Sequence, residues 1–377
     1  MTVYEKLRQP EPPIAVETEG VKYIGSKRSL VPYILRTLGE IPAKTVFDGF
    51  SGTTRVAQAL ANDGYSVCCN DIAVFSKIFA QCYLLNRKPV DYYLPLLGHL
   101  NNLTGLNGWF TEQYGGAPNG GSSIQKDGRK RVWQIHNTMK LDAIRPEIDR
   151  VTGDPVERSV LLTSLILAMD QVDNSVGHHA AYLKTWSARS YKTMHMTLPK
   201  FAQYSPEHAI FYGDIFKTLP NIHADVAYFD PPYGSNNAKM PPSRVRYASY
   251  YHLWTTICLN DQPELVGAAG RRRDASDRLA ASEFEEFRKD SSGRYLVLDS
   301  IARLIDQTPT KYIVLSYNNR GRITPDELYE LLASKGRQVA VSSIDYRRHV
   351  MAGMTWTNDW TDRTSEENQE LLYTIEK

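Results

Sequence analysis

Short apolar runs that end on acidic or small polar residues punctuate this chain and predict its architecture. Thr45-Val46-Phe47 opens into Asp48-Gly49-Phe50-Ser51-Gly52-Thr53-Thr54, after which Val56, Ala57 and Leu60 recur at helical spacing. Tyr65-Ser66-Val67-Cys68-Cys69 makes a second run. Strand, glycine turn, helix and strand in that order predict a βαβ unit. Upstream, Ile34, Leu35 and Leu38 mark a helix that stops near Gly39. Further apolar runs stand at Ala209–Tyr212, Val226–Phe229 and 312–316, followed by a helix start near Pro325 and strand signals at 339–344 and 370–375. Runs of four apolar residues without polar alternation read as strands covered on both faces, which points to a parallel sheet.

From about 92 to 201 the texture changes. Stretches rich in Asn, Gly and Ser, at 101–108 and 115–123, separate helical patterns such as 160–169. They predict an inserted, mostly helical domain with long loops. A second irregular stretch runs from Gly234 to about 290 and holds Pro241-Pro242 and Arg271-Arg272-Arg273. The expectation is an α/β protein whose core comprises 14–91 and 202–377, interrupted by 92–201 and by a smaller insertion at 236–290. Its sheet is mainly parallel, with helices on both faces.

Composition adds limits. At 377 residues, 42% hydrophobic and 23% charged, the chain can bury a sizeable core. A net charge of +2 does not announce nucleic acid, so any basic footprint must be local. Cys68, Cys69, Cys82 and Cys258 fit neither a metal-ligand spacing nor a disulfide framework. Residues Met1 to Pro13 carry no apolar signal core, and no run approaches 18 apolar residues. These features predict a reduced, soluble, cytoplasmic protein.

The richest chemistry lies at Asp230-Pro231-Pro232-Tyr233, which follows the apolar run Val226-Ala227-Tyr228-Phe229. Two prolines stop the strand and stiffen the backbone just past its carboxyl end. That edge is where open α/β sheets bind ligands. A carboxylate, a rigid backbone carbonyl and an aromatic ring suit a planar base with an exocyclic amine. The glycine turn 48–52 lies where a strand hands over to a helix, so its backbone can approach a ligand closely. Asp71, about 20 residues farther on at the end of the second strand, either meets ribose hydroxyls or caps the next helix. Asp214 likewise either caps a helix or accepts the amino group of an adenine ring. The chain has no GxxxxGK[ST] signature, and its turn lacks GxGxxG spacing. An adenosine without phosphates and bearing a reactive methyl fits better than ATP or NAD.

Together these residues resemble the D12 class of adenine-specific DNA methyltransferases. Lys22-Tyr23-Ile24-Gly25-Ser26-Lys27 is similar to that family's amino-terminal cofactor motif. Asn70-Asp71-Ile72 and Tyr212-Gly213-Asp214-Ile215 match its ribose and adenine positions, and Leu315-Ser316-Tyr317-Asn318-Asn319 its later strand motif. The motifs run in family order from Lys22 to about Gly321. Tyr251-His252-Leu253-Trp254-Thr255 and the run 177–191 look like members that pair with restriction enzymes. Thr54 departs from the pattern, standing where a glycine is frequent.

The resemblance implies a Rossmann-like core using S-adenosyl-L-methionine. Lys22, Tyr23, Gly25, Lys27, Asp48, Phe50, Ser51, Gly52, Thr53, Asp71, Ile72, Asp214 and Ile215 would hold that cofactor. Asp230, Pro231, Pro232 and Tyr233 would hold a flipped-out adenine for methylation at N6. N4-cytosine methylation is the nearest alternative, and a non-catalytic DNA-binding module that keeps the fold is another. The implied setting is bacterial or archaeal, with double-stranded DNA as substrate; the resemblance leaves open whether a restriction endonuclease accompanies the chain. An asymmetric substrate site imposes no two-fold partner, so a monomer is expected.

Local charge supplies a footprint for DNA. Lys184, Trp186, Arg189, Tyr191 and Lys192 interleave basic and aromatic residues, as do Arg129, Lys130 and Arg131 around Trp133, and Arg244 and Arg246 among three tyrosines. Each run alone would read equally well as a solvated face. Three of them flanking Asp230 favour DNA, with target recognition assigned mainly to 92–201. His178-His179 lacks the companion ligands of a metal site, so no metal is expected.

Overall fold

The computed structural model describes residues 16–201, 206–234, 246–276, 279–280, 282–345 and 369–377. Seven strands form one sheet: β1 (Thr45–Asp48), β2 (Ser66–Asp71), β3 (Ala209–Tyr212), β4 (Val226–Phe229), β5 (Tyr312–Asn318), β6 (Gln338–Asp345) and β7 (Gln369–Glu376). Their spatial order is β6-β7-β5-β4-β1-β2-β3. β1 to β5 pair in parallel. β7 enters between β5 and β6 and runs antiparallel to both. The expected strands therefore assemble into a mostly parallel sheet, whose order reverses between β1 and β4.

Alternation along the strands assigns each residue to a layer. Val46, Val67, Val226, Tyr228, Val314 and Leu372 face one side, under helices α1 (Val31–Gly39) and α2 (Arg55–Asn62). Phe47, Ala227, Phe229, Ile313, Leu315 and Tyr373 face the other, with α8 (Ile215–Thr218), α11 (Val297–Gln307) and α12 (Pro325–Lys335). α11 presents Ile301, Leu304 and Ile305 to that layer, the spacing of a helical stripe. α12 starts where it does because Thr324 and Glu327 form a capping box, with Pro325 at the first position.

Residues 92–201 contain most of the remaining helices: α4 (Val90–Asn102), α5 (Trp109–Tyr114), α6 (Ile135–Val151) and α7 (Pro155–Gln171). Asp154 starts α7 by accepting from the Val156 and Glu157 amides. The segment has no core of its own. Leu141, Ile144, Val160 and Leu165 share one apolar cluster with Phe75, Phe79 and Tyr83 of the α3 region and with Leu253 and Trp254 of α10. α3 spans Val74–Ala80 and α10 spans His252–Leu259. The stretch expected to be irregular after Gly234 thus contributes a packed helix, preceded by α9 (Tyr247–Tyr250). None of the described helices is long and apolar enough to cross a membrane. All four cysteines are free thiols, and three of them are buried.

Candidate active site

β1 and β4 are neighbours, with Asp48 opposite Tyr228, so Asp48 and Asp230 emerge side by side where the sheet order reverses. That switch point is the ligand-binding crevice of an open α/β sheet. A cavity of about 600 Å³ opens there. Every residue expected to hold the cofactor or the base lines it except Lys22.

The glycine turn is packed against β4. A methyl group at Gly49 would stand 2.6 Å from the Phe229 ring, so the strand carrying Asp230 and the turn fit only without a side chain there. Asp71 braces the turn: its carboxylate accepts from Gly52 at 2.8 Å and from Ala73 at 2.8 Å. Burial still pushes this carboxyl above its ordinary range, despite those amides. Thr54 closes the turn in the left-handed region, φ 62°, at the head of α2. Its hydroxyl donates to the Thr53 carbonyl at 2.7 Å. Asp214 accepts from the Phe216 amide at 2.8 Å and so caps α8, while still facing the cavity.

Asp48 differs from these. It is 1% exposed, and among the described residues no group stands in ordinary hydrogen-bond geometry to either carboxylate oxygen. Burial, reinforced by the negative charges of Asp230 and Asp71, pushes it up to about 8; a loose contact with the Phe50 backbone amide eases this only partly.

Asp230 has a partner of opposite charge. Lys27 Nζ lies 2.9 Å from its carboxylate and 2.6 Å from that of Glu370 on β7. The same ammonium sits 5.1 Å from the Tyr233 ring centre. Burial would discharge Lys27, but the Asp230 and Glu370 carboxylates hold it charged, well above the ordinary lysine range. Burial, opposed by Lys27 and reinforced by Glu370, raises Asp230 to about 6. Pro231 is buried, and Pro232 and Tyr233 are half-buried. The Tyr233 carbonyl accepts from the Arg322 amide at 3.0 Å, and its ring lies 5.4 Å from that of Tyr317. Gly234 adopts φ +59°, and a methyl there would stand 2.4 Å from the Arg322 guanidinium. Glycine favours this left-handed exit from Tyr233, and any side chain there would have to displace the guanidinium.

Lys22 stands apart from the cavity wall. Its ammonium pairs with Asp173 at 2.8 Å and binds Asp170 at the end of α7, which ties the amino-terminal motif to the helical segment. Tyr23 does reach the cavity, stacked on Tyr251 at 4.3 Å and on Tyr247 at 5.6 Å.

The residues expected to meet DNA divide. Arg129, Lys184, Tyr191 and Lys192 are exposed and Lys130 half-exposed. Trp186 is buried and donates to the Ala117 carbonyl at 3.1 Å. Arg131 is 9% exposed and bonds the Gly115 carbonyl and Asp127. Arg189 pairs with Asp173, and the buried Arg246 donates to the Glu285 carbonyl at 3.1 Å. These four hold the protein together, because aromatic and basic spacing alone does not distinguish a bolt from a free arm. Arg244 and Pro241-Pro242 lie outside the described residues. The first two basic runs do lie side by side: the Ser123 amide donates to Lys184 and the Trp186 amide to Gly121, both at 2.9 Å. His178 stacks on Tyr250, and among the described residues no group of acidic, His or Cys side chains is placed to hold a metal.

Several lining residues escaped the sequence reading. Tyr247 and Phe284 line the cavity, the latter 5.0 Å from Phe50. Tyr247 had a signal, the tyrosine-rich run after Arg246. Glu370 lies behind the wall, on Lys27, and its sequence signal is only that of a strand residue.

A mostly parallel sheet with an acid at the end of β1 and Asp-Pro-Pro-Tyr at the end of β4 defines a methyltransferase architecture. The chain belongs to the D12 class N6 adenine-specific DNA methyltransferases, whose family model matches residues 23–330. It is similar to modification methylase LlaI of Lactococcus lactis subsp. lactis, 28% identical over 340 residues, covering 86% of this chain and 50% of that protein. It is also similar to modification methylase StsI of Streptococcus sanguinis, at 27% identity over 95% of this chain and 52% of that protein. Type II methyltransferase M.NlaIII of Neisseria lactamica is 25% identical over 87% of this chain and 92% of its own length. The chain therefore spans about half the length of the first two and most of the third.

Proposed function

We propose that this chain transfers the methyl group of S-adenosylmethionine to the N6 amine of an adenine flipped out of double-stranded DNA. It would act as a monomer, as the modification enzyme of a restriction-modification system, in the cytoplasm of a bacterium or archaeon. The supporting observation is Asp230-Pro231-Pro232-Tyr233 at the sheet's switch point, sharing one cavity with the buried Asp48 carboxylate, which no described residue satisfies in ordinary hydrogen-bond geometry.

The cavity fits the cofactor. Asp48 offers an unsatisfied acceptor for an α-ammonium group, and Asp71 an acidic edge for ribose hydroxyls. Ile72, 69% exposed, and Ile215 offer apolar faces to an adenine ring, with Asp214 at its edge. Tyr23, Gly25, Lys27, Phe50, Ser51, Gly52 and Thr53 complete the wall. When bound, the cofactor supplies an electrophilic methyl on a sulfonium whose leaving group is a neutral thioether.

The chain's own residues then act on the base. An adenine N6 lone pair is delocalised into the ring and attacks poorly. Hydrogen bonds from its two protons to Asp230 and to the Pro231 carbonyl favour a tetrahedral, more nucleophilic nitrogen. The Asp230 carboxylate also stabilises the positive charge that grows on N6, and the proton leaves after methyl transfer. Tyr233 stacks on a base that must leave the duplex to reach this edge. Target recognition falls to the helical segment 92–201, where Arg129, Lys130, Lys184, Tyr191 and Lys192 would contact phosphates and bases.

The test is to incubate the protein with tritium-labelled S-adenosylmethionine and unmethylated DNA, digest the DNA and identify the labelled nucleoside. N6-methyladenine is expected. Label in N4-methylcytosine alone, or in no nucleoside while the cofactor still binds, would overturn the proposal.

A further inference from the structure

We infer that Glu370 is a positioning residue for Asp230, acting as the counter-charge that lets the carboxylate work beside Lys27. The inference rests on the methyl-transfer reading above and extends it to a residue 343 positions from Lys27 in the chain. Lys27 lies between the two carboxylates, nearer to Glu370 than to Asp230. Glu370 is 1% exposed and is itself held in place, accepting from Ser316 Oγ at 2.6 Å as well as from Lys27. Asp230 has its side chain 18% exposed, toward the cavity.

Lys27 bonds one Asp230 oxygen, which leaves the other to accept from N6. An ammonium paired with Asp230 alone would oppose the positive charge that develops there. Glu370, the nearer of the two carboxylates, offsets that ammonium, so the cluster of two carboxylates and one ammonium carries a net −1. That sign favours both a sulfonium and a cationic N6. Lys27 in turn keeps Asp230 ionised against burial. The other groups that bear on Asp230 are Asp48 on β1, Tyr228 on β4, and Tyr23, Tyr233 and Tyr247 around the cavity.

The test separates charge from shape. Glu370→Gln keeps the shape and loses the charge; Glu370→Asp keeps the charge and shortens the side chain. In single-turnover methylation at saturating DNA and cofactor, Glu370→Gln is expected to lose about tenfold to a hundredfold in rate. KM for both substrates should stay within about twofold, because the interaction matters at the reacting nitrogen. Its acid limb should move to lower pH, because removing a negative neighbour lowers the Asp230 pKa. Glu370→Asp should retain more rate than Glu370→Gln, the reverse of what packing alone dictates. A Glu370→Gln variant at wild-type rate with an unmoved acid limb, or Glu370→Asp no better than Gln, would overturn the inference. Should Glu370→Gln fail to melt cooperatively, Ser316→Ala decides: a several-fold rate loss at unchanged KM supports the role, and a wild-type rate overturns it. If the wild-type protein itself labels no DNA nucleoside, the methyl-transfer reading has failed, and no comparison among variants can imitate that result.

Discussion

Replacing Asp48 with Asn should stabilise the protein and impair its cofactor site, with both effects traceable to one buried carboxyl. Among the described residues neither of its oxygens is satisfied in ordinary hydrogen-bond geometry, and burial raises it to about 8. A carboxyl raised on folding destabilises the folded state wherever the unfolded chain has already ionised. Below about pH 4 both states hold the proton and nothing is lost. As pH rises from there to about 8, the unfolded chain releases its proton while the folded protein keeps it, so wild-type stability declines and then levels off. Asn does not titrate, so the advantage of Asp48→Asn should widen over that window. Between pH 5 and pH 8 the ceiling is about 4 kcal/mol, at about 1.4 kcal/mol per pH unit. Water in the adjoining cavity and local relaxation should reduce this to about 2 kcal/mol. Urea unfolding of both proteins at the two pH values measures the gap, and isothermal titration measures cofactor affinity, expected to fall at least tenfold. A gap that stays constant or narrows with pH would refute the assignment of the unpaired, raised carboxyl.

Asp230→Ala should lower methyl transfer by about a thousandfold or more, as loss of a preorganised charged acceptor does, while cofactor binding survives; a variant at wild-type rate removes Asp230 from the chemistry. Asp71→Ala should weaken cofactor binding more than DNA binding, because it also releases the Gly52 amide that shapes the turn; paired titrations that show the reverse would exclude it. Lys184→Ala and Lys192→Ala should leave the melting temperature unchanged and flatten the salt dependence of DNA affinity, by about one unit of logarithmic slope for each phosphate left without its lysine. Trp186→Ala should instead cost about 3 kcal/mol or more of stability, measured by urea unfolding, because its ring and N–H are buried.

The parts of the fold legible in the sequence were those with local signatures. Val226–Phe229 is apolar at every position because both of its faces are covered, and Asp230 follows it directly, so strand and candidate site announced themselves together. The turn at Asp48, the acid at the end of β2 and the start of α12 likewise carry their cause in adjacent residues. What stayed hidden depends on distant partners. Lys22 and Lys27 are five residues apart in one motif, yet one is fastened to α7 and the other reaches Asp230. Trp186 reads as an aromatic in a basic run, and only the Ala117 carbonyl beneath it reveals its structural task. α10 lay in a stretch marked as irregular because prolines and arginines on either side masked eight helical residues.

The position of β7 has a consequence for synthesis. It follows the six other strands in the chain, yet it slots between two of them and brings Glu370 to Lys27. A nascent chain emerging from the ribosome can close the cofactor turn and form β4 well before β7 exists. Until then Asp230 and Lys27 stand as an isolated pair, and Lys27 gains its second carboxylate only once the seventh strand has inserted.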